Sequence, residues 1–167
     1  YCNERLGFGV PLHRITSLDE RQPNHLNVFD LGLLTKDDIT VGQISKQSGA
    51  AARDYVVTAT KAAIRRDIAA VVTLPMNKEA TQLSDPEFCG HTELVAELAD
   101  AKDYAMMLVS DQLIVSHVST HVSMAESVRC VKKERIIRLI ELTFDILKRL
   151  VDSPRVAIAG LNPHAGE

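Results

Sequence analysis

A near-continuous apolar run from Ile68 to Leu74, ended by Pro75, constrains the fold of this chain more than any other feature. A run without alternation between polar and apolar residues is typical of a β-strand that is covered on both faces. Such a strand needs helices on the two sides of its sheet. The run therefore predicts an α/β fold.

Helical and strand-like segments alternate along most of the chain, which favours the same fold class. Two strand-like segments are separated only by Ser110 and Asp111, which predicts a hairpin and hence a mixed sheet. At 167 residues we expect a single α/β unit over 1–167. One predicted helix begins after an N-cap at Ser48, and two others cover 92–101 and 132–151. The predicted strands cover 28–31, 68–74, 104–109, 112–119 and 155–160.

Composition excludes several classes of protein. The hydrophobic content of 46% suffices for a core, and with 4% aromatic residues and no Trp that core must be aliphatic. A net charge of −3 without a long basic run argues against nucleic-acid binding. No apolar stretch approaches the roughly 18 residues of a membrane span. Three widely spaced cysteines fit reduced thiols, so we expect a cytoplasmic protein.

Four polar clusters each follow a predicted strand or lie in the loop behind one. In open α/β sheets, ligands bind beyond the carboxyl ends of the strands. Convergence of these clusters at one sheet edge would form a binding crevice. The clusters are Pro75–Lys78, Gly90–Glu93, Ser119–His121 and Asn162–His164.

The cluster at Gly90 opens a predicted helix and suits an anion. Gly90 permits close approach, the helix start offers free N–H groups, and His91 and Thr92 could bond phosphate oxygens. The alternative is a plain N-cap in which Thr92 caps the helix. Lys78 could pair with an anionic substrate or take part in proton transfer, or it could be simply solvated.

Histidines supply the candidate metal ligands. His117 and His121 have H-x-x-x-H spacing, but the β-branched context predicts a strand, on which they would lie ~13 Å apart. We interpret His117 as a strand-face histidine satisfied by hydrogen bonds and His121 as the better ligand. His164 follows a proline that restricts the turn, and it is either a second ligand or a loop histidine bonded to backbone. Two histidines form an incomplete zinc site.

A dinucleotide-binding fingerprint is missing. Gly7 and Gly9 give only G-x-G, and Leu12 stands at the third glycine position. The fold is therefore not predicted to be a Rossmann domain, and the residues that would bind a cofactor stay unknown.

Five motifs in order resemble the 4-hydroxythreonine-4-phosphate dehydrogenase family of vitamin B6 (pyridoxine) biosynthesis. The resemblance covers 40–167, and the terminal LNPHAGE is its most specific part. It implies a three-layer α/β fold like that of isocitrate and isopropylmalate dehydrogenases, and a cytoplasmic homodimer with its active site at the interface. The family chain is longer, so this sequence looks like a truncated portion of a two-subdomain enzyme. The motifs lie at 71–78, 89–94, 106–109, 120–121 and 160–167.

The resemblance also assigns roles by position. It implies that His91 and Thr92 bind the phosphorylated substrate, and that His121 and His164 ligate a divalent metal such as Zn, Mg or Co. The third ligand of the family is a histidine in a later YHDQG-like segment, which this sequence does not contain. The implied reaction is oxidation of the secondary hydroxyl of 4-hydroxythreonine 4-phosphate or a relative by NAD or NADP, followed by decarboxylation.

Two departures from the family pattern bear on the substrate. Leu74 stands where the family has glycine, and Val122 stands where the family has proline after the metal-binding histidine. They indicate a branch that acts on 4-phospho-threonate or 4-phospho-erythronate. Two alternatives remain open. The chain could be a non-catalytic fragment that binds phosphate or dimerises, or an acyl-phosphate-handling transferase on a similar fold.

Overall fold

The structure, a computed structural model, describes residues 2–164. The chain divides into two compact units that meet in sequence between Ala101 and Lys102. Helices and short strands occur in both units, which confirms the predicted α/β class. No helix within 2–164 is both long enough and apolar enough to cross a membrane.

The first unit begins with a small parallel sheet. Helix α1 (Cys2–Arg5) precedes strands β1 (Leu12–Ile15) and β2 (Leu26–Phe29), and short 3-10 turns follow each strand at Leu18–Glu20 and Lys36–Asp38. The two strands pair in parallel, with Leu12 opposite Leu26. The strand predicted at 28–31 is thus confirmed, two residues earlier in the chain.

Three helices complete the first unit: α2 (Lys46–Ile64), α3 (Lys78–Gln82) and α4 (His91–Leu98). The predicted N-cap of α2 is wrong. Ser45 caps the helix instead, because its side-chain oxygen accepts a hydrogen bond from the backbone N–H of Ser48. The core of this unit is a cluster of Val56, Phe88 and Leu94, against which Met76 packs.

The second unit pairs a hairpin with two helices. Strands β3 (Met107–Val109) and β4 (Ile114–Ser116) are antiparallel, which confirms the hairpin predicted from the polar Ser110 and Asp111. Helix α5 (Met124–Cys130) follows, and then α6 (Lys133–Leu147). The buried residues of α6 recur every fourth position, giving the apolar stripe expected of an amphipathic helix; they are Leu139, Thr143 and Leu147.

The strands predicted at 68–74 and 155–160 are wrong for the part of the chain described here, where both segments lack strand structure. Val72 is 89% exposed and Leu74 79% exposed, and Ile158 is 65% exposed. A strand exists only through hydrogen bonds to a neighbouring backbone. The two sheets among residues 2–164 have two strands each, and neither of them extends to these segments.

Candidate functional site

The Pro75–Lys78 motif forms the start of helix α3. Asn77 caps the helix, since its side-chain oxygen accepts a hydrogen bond of 2.9 Å from the backbone N–H of Ala80. The hydroxyl of Thr81, a fully buried residue, donates to the carbonyl oxygen of Asn77 at 3.1 Å and fixes the same turn. Lys78 is the first residue of the helix and is exposed to solvent.

A cavity of about 210 Å³ lies beside this motif. Its walls come from the loop and first turns of α2 and from the residues before α3. Polar groups on both sides are already engaged in capping, since Ser45 caps α2 and Asn77 caps α3. The lining residues include Gln43, Ser45, Ser48, Met76 and Asn77, but not Lys78.

The Gly90–Glu93 motif forms the start of helix α4, as predicted. Gly90 rather than Thr92 is the N-cap residue, and as a glycine it supplies no side-chain cap. Among residues 2–164 no acceptor satisfies the backbone N–H groups of His91, Thr92 and Glu93. These groups and the helix dipole give this end of α4 a positive potential that suits an anion. The capping role that was the alternative reading of Thr92 is therefore wrong.

His91 carries the most informative atom of this region. Its Nε2 is buried and has no hydrogen-bond partner. A buried polar nitrogen without a partner costs about 1–3 kcal/mol of stability, so this nitrogen calls for an explanation other than stability. The Glu93 carboxylate folds back over the same helix end, where a side chain on Gly90 would lie 3.0 Å from its oxygen.

The two motifs of the first unit lie around one hydrophobic cluster. Met76, from the first motif, packs against the cluster that includes Leu94 of α4. The side-chain amide of Gln82 in α3 donates to the carbonyl oxygen of Phe88 at 2.9 Å, just before Gly90. Lys78, His91 and Thr92 are thus carried by elements that share a core, whereas the predicted convergence at one sheet edge is not seen for them.

In the second unit, His121 lies in the loop between β4 and α5. Its φ of +57° places it in the left-handed region, which is rare for a residue with a side chain. The imidazole is exposed, and within 2–164 it makes no side-chain hydrogen bond. Two residues later, Ser123 caps α5 by accepting from the backbone N–H of Glu126 at 3.2 Å.

His117 follows β4, and its backbone N–H donates to the carbonyl oxygen of Met106 at 3.0 Å. The predicted hydrogen bonds of its half-buried imidazole are not found among the described residues. The strand context rules out a helical H-x-x-x-H pair with His121, as expected. His164 is exposed and, like Asn162, has an interaction partner. The last three residues of the LNPHAGE motif lie outside the described residues.

The donor chemistry fits part of a metal site. Imidazole nitrogens suit zinc and cobalt, and both His121 and His164 belong to the second unit. No group of three His, Cys, Asp or Glu side chains that could hold a metal ion occurs within residues 2–164. The two histidines are thus donors of a suitable kind, but two of them alone do not complete a zinc site.

Two contributors to the loop of His121 are not singled out by the sequence analysis. Arg135 of α6 donates hydrogen bonds to the backbone before and after the hairpin. No local sequence pattern predicts such a contact. Ser123 has a signal that would have found it, because Ser-x-x-Glu at 123–126 is a typical helix start.

Comparisons with known proteins identify the family. A family model described as pyridoxal phosphate biosynthetic protein PdxA matches residues 3–167. The D-threonate 4-phosphate dehydrogenase of Salmonella typhimurium is 40% identical over 146 residues, which cover 87% of this chain and 45% of the relative. The 4-hydroxythreonine-4-phosphate dehydrogenase of Beijerinckia indica is 37% identical over 165 residues, covering 97% of this chain and 49% of the relative.

A solved structure shows the same fold. The crystal structure of 4-hydroxythreonine-4-phosphate dehydrogenase from Klebsiella pneumoniae aligns with a TM-score of 0.83 at 36% identity, covering 94% of this chain and 48% of that one. The chain therefore spans about half the length of the curated relatives it matches. On the extent of the family match and on these identities, the chain belongs to the PdxA family of pyridoxal phosphate biosynthetic proteins, whose named relatives here are dehydrogenases.

Proposed function

We propose that this chain carries the phosphate-binding part and two metal ligands of a metal-dependent, NAD(P)-linked dehydrogenase. Its substrate would be a 4-phosphorylated four-carbon hydroxy acid. The observation that carries the proposal is the start of α4, which has no side-chain cap and whose first residue, His91, has a buried Nε2 without a hydrogen-bond partner. The named activities of the relatives supply the reaction class.

In this proposal, His91 and Thr92 hold the substrate phosphate. Thr92 is the second residue of α4, so its hydroxyl and its backbone N–H both lie at the positive end of the helix. A phosphate binds well where several N–H groups and a dipole end coincide. The phosphate would compete with the Glu93 carboxylate, since a Cβ on Gly90 would lie 3.0 Å from its oxygen.

His121 and His164 would hold the divalent metal, which as a Lewis acid polarises a substrate hydroxyl. Zn, Mg and Co are the candidates, and imidazole donors favour Zn and Co over Mg. We propose that Lys78, which is exposed and makes no ion pair within residues 2–164, pairs with an anionic group of the substrate, and that the hydroxyl proton passes to solvent. NAD or NADP would accept the carbon-bound hydrogen as hydride, and the resulting β-keto acid would lose carbon dioxide.

The substrate branch follows from the relatives and the two departures in sequence. Leu74 and Val122 differ from the usual pattern, and the D-threonate 4-phosphate dehydrogenase of Salmonella typhimurium is 40% identical to this chain. We therefore propose 4-phospho-threonate or its diastereomer 4-phospho-erythronate ahead of 4-hydroxythreonine 4-phosphate. For the whole protein we propose the three-layer fold of isocitrate dehydrogenase, a homodimer with the active site at its interface, and a cytoplasmic location.

A second candidate function is a fragment that binds phosphate without turnover. It is favoured by the absence of a three-ligand metal group among residues 2–164. An assay of the chain with 4-phospho-threonate, NAD or NADP and each metal in turn separates the two. Reduced cofactor accumulating in proportion to substrate supports the dehydrogenase, and binding of inorganic phosphate without turnover supports the fragment. The transferase reading is supported only if an acyl phosphate reacts without added metal.

The phosphate site has its own test in Glu93. If the carboxylate competes with the anion, Glu93→Gln raises the affinity for inorganic phosphate about 2- to 5-fold, as expected for one charge at a helix N-terminus. Glu97→Gln, on an exposed position of the same helix, is the matched control and leaves the affinity unchanged. Isothermal titration with inorganic phosphate measures both. Equal affinities in the two variants would contradict a phosphate site at this helix end.

A further inference from the structure

A single guanidinium group joins the two ends of the hairpin in the second unit. Nε of Arg135 donates to the carbonyl oxygen of Val118 at 3.2 Å, and Nη2 donates to the carbonyl oxygen of Tyr104 at 3.2 Å. Tyr104 precedes β3 and Val118 follows β4. Arg135 of α6 therefore ties both ends of the hairpin to the same helix.

The backbone hydrogen bonds of the hairpin end just before the residue that Arg135 binds, Val118. The last backbone bond runs from the N–H of His117 to the carbonyl oxygen of Met106. One residue later the chain leaves the sheet at Val118, whose carbonyl is held by Arg135. The path of the following residues is therefore set by α6 rather than by sheet pairing.

His121 lies between two fixed points. On its N-terminal side the carbonyl of Val118 is bonded to Arg135, and on its C-terminal side Ser123 caps α5. The left-handed backbone of His121, with φ of +57°, costs about 1 kcal/mol or more relative to the ordinary helical region. Such a conformation persists where the surrounding structure holds it. The two fixed points supply that support.

We infer that Arg135 is a positioning residue that holds the loop of His121 in the geometry required of a metal ligand. The inference rests on the proposed function, because it takes His121 as a ligand. Arginine suits the task because its planar fork reaches two carbonyl oxygens at once, whereas an ammonium group is a point charge without a fixed fork. Neither hydrogen bond touches the metal or the substrate, so Arg135 acts only through the loop.

The test compares Arg135→Ala with two other variants of the chain. Thr143→Val is the matched control, because it removes a different hydrogen bond of α6 to the hairpin, from the Thr143 hydroxyl to the Ser116 hydroxyl at 2.8 Å, without touching the loop of His121. Arg135→Lys keeps the charge. Each variant is titrated with CoCl2, followed by the visible absorption of the bound cobalt, and amide hydrogen exchange of 118–122 is measured without metal.

We expect Arg135→Ala to weaken cobalt binding about 10-fold, as is usual when an outer support of a metal ligand is removed. Exchange at 118–122 should accelerate in the same variant. Arg135→Lys should recover only part of the affinity. Thr143→Val should lower thermal stability and leave the cobalt affinity and the loop exchange as they are. If circular dichroism shows that Arg135→Ala is unfolded, the cobalt affinity and loop exchange of Arg135→Lys are compared with those of Thr143→Val instead.

A His121→Ala variant separates the two claims. If His121→Ala abolishes cobalt binding while the Arg135 variants keep both the wild-type affinity and the wild-type exchange, the positioning role is overturned and the metal site stands. If the wild-type chain binds no cobalt, the exchange of 118–122 decides the positioning role, and unchanged exchange in Arg135→Ala overturns it. If His121→Ala binds cobalt as well as the wild-type chain does, His121 is not a ligand and the inference falls with that part of the proposed function.

Discussion

The backbone of Gly49 in α2 lies directly against the carbonyl group of Ala80 in α3. A Cβ atom on Gly49 would overlap that carbonyl and would lie 2.6 Å from the backbone nitrogen of Thr81. Both partners are backbone atoms, which cannot rotate away as a side chain could. The short helix α3, which carries the motif of Asn77 and Lys78, therefore packs against α2 with the two backbones in direct contact.

Gly49→Ala should therefore separate the two helices. Alanine favours a helix interior by about 1 kcal/mol over glycine, but overpacking against backbone costs about 1–3 kcal/mol or more. We expect a net loss of about 1–2 kcal/mol in the free energy of unfolding by urea. Lys61→Ala, at an exposed position of α2, is the control and should change it little. A stabilised Gly49→Ala would show that the helices are free to move apart.

Removing each of two buried polar atoms that lack hydrogen-bond partners should have different effects on stability and on phosphate binding. Thr60 Oγ1 and His91 Nε2 both lack hydrogen bonds. Thr60→Val keeps the shape and should raise the free energy of unfolding by about 1 kcal/mol without affecting phosphate binding. His91→Leu should not lower stability, but it should weaken phosphate binding about 10-fold, because a hydrogen bond to a charged group is lost.

Urea unfolding and phosphate titration of the same two variants give both quantities. A His91→Leu variant that loses stability and keeps phosphate affinity would assign His91 to the core. Loss of affinity in Thr60→Val would mean that the site depends on the packing of α2.

The Glu20 carboxylate should titrate below its usual range. The backbone N–H of Thr16 donates to it at 2.8 Å and the Thr16 hydroxyl at 3.0 Å, and these two bonds, in that order, lower the pKa of Glu20. A lowered folded-state pKa contributes stability above the unfolded pKa of 4.5, and this contribution is lost as pH falls through the folded value.

Thr16→Val removes the hydroxyl bond and keeps the N–H bond, so the pKa of Glu20 should rise only part of the way to its ordinary value. Carbon-13 NMR of the carboxyl group measures it. Thr40→Val, at another exposed threonine, serves as control. An unchanged titration in Thr16→Val would mean that the hydroxyl contributes nothing.

The ion pair between Arg53 and Asp85 joins α2 to the turn after α3. Arg53 Nε lies 2.6 Å from the Asp85 carboxylate, and the side chains are 34% and 27% exposed. Asp85→Asn should lower the free energy of unfolding by about 1 kcal/mol, less at high salt. Asp67→Asn is the control, since its pair with Arg65 at 2.8 Å is more exposed, at 63% and 37%. An equal loss of unfolding free energy in the two variants would mean that the ion pair between Arg53 and Asp85 has no special role in joining α2 to the turn after α3.

The sequence predicts what is local and misses what depends on distant partners. Helices α4 and α6 and the β3–β4 hairpin follow from apolar spacing and from a short polar turn, and all three form. Both strands are shorter than the predicted 104–109 and 112–119, and α4 and α6 end before the predicted 101 and 151. His91 and Thr92 lie at a helix start, as expected. Strand 68–74 fails because strand structure needs a second backbone, and the role of Arg135 depends on bonds to residues 17 and 31 positions away.

The exposed segment around Val72 also has a consequence for handling the chain. Its 89% exposed valine and 79% exposed Leu74 belong to an uncharged, β-branched stretch of the kind that pairs with copies of itself and seeds aggregates. Residues that oppose such pairing flank the stretch on both sides. The charged Arg65, Arg66 and Asp67 precede it, and Pro75 follows it. Because hydrophobic association weakens on cooling, dilute and cold solutions should keep the chain monodisperse, and warming should produce turbidity well below the unfolding temperature.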